Sequence, residues 1–320
     1  MLLNQRPRIW IAEPDGFCDE AIQLLEAHAD VVARPPGDLS LREAFGNCDA
    51  MIFRLGFSVR REDLSANQRC RYIATPVTGT DHIDEIACRE MGIAVISLRG
   101  EREFLSKIPA TAEHTFALML ALVRKIVPAI RHVREGRFDR DLFRGTELSG
   151  KTLGIIGYGR LGSMVAAYAR AFGMRVLAND IDDEREDLSA GLVFCELDTL
   201  LPQCDVVSLH IDYNKANHHF ADASFFARMK HGAFLINTAR GALVDGPALV
   251  EALDSGHLGG AALDVVEGEP DVCIDAPLLQ YHQRSDLLII TPHIGGNTVE
   301  SFERTEVFIA TKLIKALQHG

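Results

Sequence analysis

The chain has 320 residues, 47% of them apolar and 24% charged, and a net charge of −12 at neutral pH. That length and composition supply two hydrophobic cores and argue for two domains, while the acidic balance excludes a general nucleic-acid or anionic-membrane surface. No apolar run approaches the ~18–20 residues needed to cross a bilayer, and no secretory signal is readable at the N-terminus. The seven cysteines have no CxxC spacing and are odd in number, so reduced, mostly buried thiols, no metal ligation through them and a cytoplasmic setting are expected. In the first hundred residues, short apolar segments at 8–12 (RIWIA), 31–33, 51–54, 72–75 and 93–96 read as strands. Helix-period stretches at 19–29 and 83–91 lie between them, the second closed by Gly92. Such alternation predicts an open parallel sheet with helices on both faces. Residues 97–109 (SLRGEREFLSKIP) interrupt the rhythm with charged, loop-like sequence, and one long apolar helix is expected over 110–130. Further strands are read at 153–156, 175–178, 192–195, 206–210, 233–237, 260–265 and 287–291. A helix over 247–255 has proline in its first turn and Gly256 just past its end, and a last helix covers 298–317. The fold class is α/β, doubly wound.

The stretch 152–180, TLGIIGYGRLGSMVAAYARAFGMRVLAND, organises the second half. A buried strand runs into Gly157, Gly159, Arg160, Leu161 and Gly162, a GxGxxG that opens a helix closed by Gly173. The first glycine permits a tight turn, the second lets a pyrophosphate approach the backbone, and the third lets helix and strand pack closely. The helix N-terminus then offers unpaired N–H groups and a positive dipole end to the anion. Asp180 follows at the end of the next strand, eighteen residues beyond Gly162, placed to take the ribose hydroxyls. Asp182 and Asp183 stand beside it with no basic residue to receive a 2′-phosphate, which favours NAD over NADP.

A second set of chemically active residues sits at strand ends. NTARG (237–241), ALDVVEGEP (262–270) and TPHIGG (291–296) each follow a strand, and ligands of open α/β sheets bind outside those ends. An arginine, acids and a histidine thus gather where the nicotinamide belongs. These are the types that oxidation of a 2-hydroxy acid requires. A guanidinium holds a carboxylate at two points and polarises the reacting oxygen. An imidazole takes the hydroxyl proton as hydride departs, and a carboxylate fixes its tautomer.

In these blocks, LGIIGYGRLG, MKHGAFLINTARGALVD, GAALDVVEGEP and LIITPHIGGNT, the chain resembles the D-isomer-specific 2-hydroxyacid dehydrogenase family, nearest its 3-phosphoglycerate dehydrogenase branch. The resemblance implies a Rossmann NAD-binding domain over 103–293 and a discontinuous flavodoxin-like substrate domain over 1–102 and 294–320, with a cleft between them. It implies that His293 is the acid/base, Glu269 its partner and Arg240 the substrate-binding arginine. Asp264 is to hold the nicotinamide carboxamide, with Thr238 and Ala239 lining the ring. The turn Thr78-Gly79-Thr80 is to offer N–H groups to the substrate carboxylate, and Arg54 matches an arginine that contacts substrate in the phosphoglycerate branch. A homodimer through the cofactor domain is implied as well, with a small 2-hydroxy or 2-oxo acid as substrate.

Four departures stand out. The family's H-x-P is His210-Ile211-Asp212 here, the loop 99–109 is about five residues longer than usual, and a position basic in some relatives is Ser58. No C-terminal regulatory domain of the kind some phosphoglycerate dehydrogenases carry is expected. Glu267 is the competing acid to Glu269. His218-His219 resembles a metal pair, but neighbours on a strand or helix point apart, so no metal is expected. Substrates of the phosphoglycerate, hydroxypyruvate or glyoxylate type fit the pattern. An NAD-sensing scaffold of the corepressor kind, with little turnover, is the alternative from another class. Formate dehydrogenases, which carry glutamine where Glu269 stands, are disfavoured.

Overall fold

The computed structural model describes residues 6–181 and 192–319. The acidic run expected to flank Asp180, from Asp182 onward, lies outside them. The chain forms two compact units, Met1–Ile108 with Asn297–Gly320, and Pro109–Gly296.

The first unit holds five strands, β1 (Arg8–Ile11), β2 (Asp30–Ala33), β3 (Ala50–Ile52), β4 (Tyr72–Ala74) and β5 (Ala94–Ile96). All pair parallel, in the order β2-β1-β3-β4-β5. The central strand β3 is apolar at every position and buried throughout, as a sheet covered on both faces demands. On one face the helices Asp19–Glu26 and Val299–His319 bury Ile9, Ile11, Leu25, Ile52, Ile309 and Leu313. On the other, Trp10, Phe45, Met51, Phe53 and Cys88 pack together. The helix Leu41–Gly46 behind Phe45 was not expected from the sequence. It starts at a capping box in which Ser40 and Glu43 satisfy each other's backbone N–H groups. Burying Phe45 fully is worth about 1.5–3 kcal/mol, enough to hold so short a helix.

The second unit holds β6 (Thr152–Ile156), β7 (Arg175–Asn179), β8 (Val193–Phe194), β9 (Val206–Leu209), β10 (Phe234–Asn237), β11 (Gly260–Leu263) and β12 (Leu288–Ile290). They form one parallel sheet in the order β12-β11-β10-β9-β6-β7-β8. The chain moves outward from β6 in one direction, then returns to place β9 on its other side. That reversal is the crevice where open α/β sheets bind ligands. The helices Ala110–Val123 and Arg160–Ala171 pack against each other, burying Met119, Leu122, Leu153, Val165 and Ile236.

The single helix read over 110–130 is two, Ala110–Val123 and Ile126–Arg134, with Lys125 between them at φ 54. Pro128 has no N–H to donate to Arg124 and is tolerated only in a first turn, so the helix must restart just before it. The orphaned Val123 carbonyl accepts the Thr146 N–H at 2.9 Å instead. The loop-like segment 97–109 also contains a short helix, Arg102–Leu105, pinned by buried Leu105.

Candidate active site

Gly157 directly follows β6, and its φ of 92° suits glycine. A Cβ there would press on the carbonyl carbon and oxygen of His210 at 2.7 Å, and one on Gly162 would overlap the Gly157 carbonyl. Gly159 differs. Its φ is −80°, and an added Cβ would meet no atom of the described residues within 4 Å. Among the described residues nothing requires glycine at 159, and the backbone there is open to a group from outside the chain. Gly159 is also the N-cap of the twelve-residue helix Arg160–Ala171, with no side-chain cap, so the first-turn N–H groups of Arg160, Leu161 and Gly162 face that space. A dinucleotide pyrophosphate fits these donors. Asp180 stands just beyond β7, and its Oδ2 accepts the Tyr158 N–H at 2.7 Å, bracing the glycine turn from its far side.

His210 closes the crevice at the end of β9. Its Nε2 lies 2.9 Å from Ser208 Oγ, and its buried Nδ1 has no partner among the described residues. Burial pushes its pKa down to about 4, so the ring is neutral at physiological pH. Asp212 is exposed beyond it.

At the end of β10, buried Asn237 shapes its own turn: Oδ1 accepts the Ala239 N–H at 3.0 Å, and Nδ2 donates to the Arg240 carbonyl at 2.9 Å. Thr238 Oγ1 meets Thr115 Oγ1 at 2.7 Å, and Arg240 Nη1 donates to the Ala239 carbonyl at 2.7 Å. Gly241 lies so close to the Val266–Glu267 peptide that a Cβ would overlap it.

Asp264, just past β11, is a buried carboxylate surrounded by donors. Thr291 Oγ1 (2.5 Å), the Ile294 N–H (2.9 Å) and His114 Nε2 (3.1 Å) reach Oδ1, and the Gly295 N–H (2.7 Å) reaches Oδ2. Burial pushes the carboxyl up, but the hydrogen bonds from His114, Thr291, Ile294 and Gly295 outweigh it and leave the pKa below the ordinary value. His293 follows β12 at φ 53, its N–H donating to the carbonyls of Asp264 (2.8 Å) and Thr291 (3.0 Å). Its Nδ1 is 2.9 Å from Glu269 Oε1. Because a carboxylate only accepts, Nδ1 carries the hydrogen, and Nε2 is left with no partner among the described residues. Glu267 stands elsewhere, with His219 Nε2 at 3.0 Å from its Oε2.

In the first unit, Thr78-Gly79-Thr80 follows β4. Thr80 Oγ1 hydrogen-bonds Glu85 and accepts from Arg99 Nη2 at 2.6 Å, so the lengthened loop fastens this turn. Arg54, past β3, is held by its neighbours. Nε and Nη2 donate to Glu306 Oε1 at 2.9 and 2.6 Å, and Nη1 reaches the carbonyls of Glu13 (3.4 Å) and Asp15 (3.3 Å). Its guanidinium also lies 4.5 Å from the Phe302 ring centroid. Burial raises the Glu306 pKa, with the Cys18 N–H and Arg54 opposing it.

Sequence reasoning passed over His114, Thr115, Thr291 and Asn237. A signal for the first two existed: Thr111, His114 and Thr115 form a polar stripe at helical spacing on a helix whose other residues, Glu113 apart, are apolar. His218 and His219, expected to point apart, stack with ring centroids 3.9 Å apart. Neither lies on a strand or a helix, and His219 adopts φ 52, which swings its side chain to the same side as its neighbour's.

Residues 116–295 match the family described as D-isomer specific 2-hydroxyacid dehydrogenase, NAD binding domain. The hydroxypyruvate reductase of Thermotoga maritima is 34% identical over 315 residues, covering 98% of this chain and 99% of the relative. The D-3-phosphoglycerate dehydrogenase of Archaeoglobus fulgidus is 36% identical over 312 residues, but this chain spans only 56% of its length. Among solved structures, a D-lactate dehydrogenase from Aquifex aeolicus complexed with NAD and lactic acid superposes with a TM-score of 0.81 at 33% identity, covering 97% of this chain and 94% of that one. The glycine cradle with its open Gly159, the His293–Glu269 pair and these likenesses lead to one conclusion: this chain belongs to the D-isomer-specific 2-hydroxyacid dehydrogenase family and carries that family's NAD-binding domain.

Proposed function

We propose that the chain reduces a small 2-oxo acid to the D-2-hydroxy acid, and catalyses the reverse, with His293 as the proton-transferring residue. The observation that supports this is the 2.9 Å contact between His293 Nδ1 and Glu269, which directs Nε2 at the reacting oxygen. NADH, when bound, supplies the hydride to the carbonyl carbon. His293 Nε2 then gives its proton to the carbonyl oxygen, and Glu269 stabilises the imidazolium that exists before that transfer. Arg240 takes the substrate carboxylate and polarises the carbonyl. Gly157, Gly159, Arg160, Leu161 and Gly162 hold the pyrophosphate, and Asp180 holds the adenosine ribose. Thr238 and Ala239 line the nicotinamide. Asp264 Oδ2, which takes the Gly295 N–H, has a second lone pair for the carboxamide. The turn Thr78-Gly79-Thr80 is assigned the substrate carboxylate through the family resemblance.

The substrate class favoured is hydroxypyruvate or glyoxylate over 3-phosphoglycerate. Arg54, the residue matched to substrate binding, already donates its guanidinium to the Glu306 carboxylate and to the main-chain carbonyls of Glu13 and Asp15, and its backbone N–H donates to the Glu13 carboxylate, so two carboxylates lie within its hydrogen-bonding shell. A phosphate brought there would face their charge. The test is NADH consumption across glyoxylate, hydroxypyruvate, pyruvate and phosphohydroxypyruvate. A kcat/KM highest for the phosphorylated acid refutes the substrate class, and no turnover with any of them favours the scaffold reading.

A homodimer through the cofactor unit is part of the proposal. Ile126, Val127, Ile130, Val133, Phe138 and Leu142 are all exposed in that unit, and so large an apolar surface is usually covered by a partner. Light scattering on the purified chain checks it. Cytoplasmic residence is also proposed, supported by seven free thiols.

A further inference from the structure

The stacked histidines lie against Glu267, outside the groups assigned to hydride transfer. His219 Nε2 is 3.0 Å from Glu267 Oε2, and His218 Nε2 is 3.7 Å from Glu267 Oε1. One ligand atom from each of the three residues can be chosen so that all lie within 4.8 Å of one another. Two ligands of a tetrahedral ion with bonds of ~2.0–2.1 Å sit roughly 3.3 Å apart, and the two measured separations bracket that value. Small rotations of half-exposed rings close the remainder.

The outer partners have the pattern of metal-binding imidazoles. A ligating histidine presents one ring nitrogen to the ion and donates the other N–H to an oxygen, which fixes tautomer and orientation. Here both Nε2 atoms face Glu267. His218 Nδ1 lies 3.4 Å from the Tyr213 hydroxyl, and His219 Nδ1 lies 3.8 Å from Asp245 Oδ2. Asp245 keeps its own place because its Oδ1 caps the helix Gly246–Asp254 through the Ala248 N–H. The backbone supports the arrangement too: His219 is held at φ 52 with its N–H donating to the Ala242 carbonyl at 2.9 Å. An imidazole pair with one carboxylate suits Zn²⁺ and neighbouring divalent transition ions, not Mg²⁺ or Ca²⁺, which prefer all-oxygen shells.

We propose that His218, His219 and Glu267 form a binding site for a divalent transition-metal ion of the Zn²⁺ class, with Tyr213 and Asp245 as its outer supports. The ion fastens the 218–219 segment to the loop that follows β11, two residues before Glu269. Gly241, packed on the Val266–Glu267 peptide, brings the turn bearing Arg240 against the same loop. The site therefore ties the 218–219 segment, whose His219 N–H is bonded to Ala242 just past the Arg240 turn, to the loop that carries Glu269.

The test uses the untagged full chain, stripped with chelator and titrated with ZnCl₂ by calorimetry, and with CoCl₂ by visible absorption. One ion per chain is expected, giving a tetrahedral-type Co²⁺ spectrum and a rise in unfolding temperature, neither of which Mg²⁺ or Ca²⁺ reproduces. His219→Ala and Glu267→Gln abolish the spectrum, while Asp245→Asn, which keeps the helix cap, weakens binding ~10–100-fold. Each variant is melted without metal to confirm that it folds; should one fail, His218→Ala replaces it. Absence of saturable binding, or unchanged affinity in the folded His218→Ala/His219→Ala double variant, overturns the proposal. Equal competition by Ca²⁺ does so as well, since it marks an unspecific acidic patch.

Discussion

Three glycines within six residues have three different reasons to be glycine, and alanine separates them. At Gly162 a Cβ overlaps the Gly157 carbonyl and comes within 3.0 Å of Ile155 Cγ2. Overpacking of this kind costs about 1–3 kcal/mol. At Gly157 the clash with the His210 carbonyl adds to a left-handed φ of 92°, a region that costs an L-residue a further ~1–2 kcal/mol. At Gly159 the φ of −80° is ordinary and none of the described residues lies within 4 Å, so the expected loss is that of a good N-cap, about 0.5–1 kcal/mol. Gly159→Ala should therefore fold with a melting temperature within a few degrees of the parent, while the methyl group occupies the path of the pyrophosphate. NADH fluorescence titration then shows affinity reduced at least ~10-fold, equivalent to ~1.4 kcal/mol. Thermal melts without cofactor give the opposite order, with Gly157→Ala and Gly162→Ala clearly destabilised. If Gly159→Ala binds NADH as tightly as the parent, the space beside it is not the pyrophosphate site. If it melts as low as Gly162→Ala, the reasoning from open space fails.

His293→Ala should lower turnover by ~10²–10⁴-fold while NADH binding, measured by fluorescence, persists; a loss below tenfold removes His293 from the acid/base role. Glu269→Gln withdraws the carboxylate acceptor that fixes the His293 tautomer, so kcat should fall while NADH binding persists; an unchanged kcat uncouples the pair. Asp180→Ala should narrow the preference for NADH over NADPH in kcat/KM, and a parent enzyme that prefers NADPH contradicts the assignment of Asp180. His210 titrates near 4 when folded against an ordinary value of 6.5, so the unfolded chain binds the extra proton between those values. Stability should then fall as pH is lowered through that window, by at most ~1.4 kcal/mol per pH unit, and His210→Asn should flatten this part of a urea-unfolding series.

The cofactor stretch was legible because its signal is local. Strand, glycines, helix, strand and acid follow within thirty residues, and every spacing has a mechanical reason. The terminal TPHIGG and GEP segments were legible for the same cause, each lying directly past an apolar strand. The supports around them were not. His114 and Asp264 are 150 residues apart in sequence and meet only because the helix Ala110–Val123 packs across the sheet ends. The partners of Arg54 come from a loop near the N-terminus and from the last helix, so an arginine that looks available in sequence is committed in the fold. The stacking of His218 on His219 depends on one backbone angle that no periodicity encodes. The break at Lys125 is a different case: Pro128 announced it, and the apolar run around it masked the signal.

Asp264 shows how the sheet orders the candidate catalytic groups before any ligand arrives. A buried carboxylate is costly unless its lone pairs are filled, and the donors that fill it include the backbone N–H groups of Ile294 and Gly295. Its own carbonyl takes the N–H of His293. One residue after β11 therefore holds the main chain on both sides of the His293 α-carbon, which is how a histidine is kept at φ 53 with its ring turned to Glu269. The next strand does the same for Arg240, since Asn237 closes that turn through both ends of its amide. Parallel pairing sets Asn237 beside Leu263 and Leu263 beside Ile290, and neighbouring strands lie about 4.8 Å apart. Arginine, carboxylate and imidazole thus leave three adjacent strands at fixed spacing, each tied to the next by backbone hydrogen bonds. Groups held in this way need no reorganisation when charge develops, which is the larger part of what a polar active site contributes to rate.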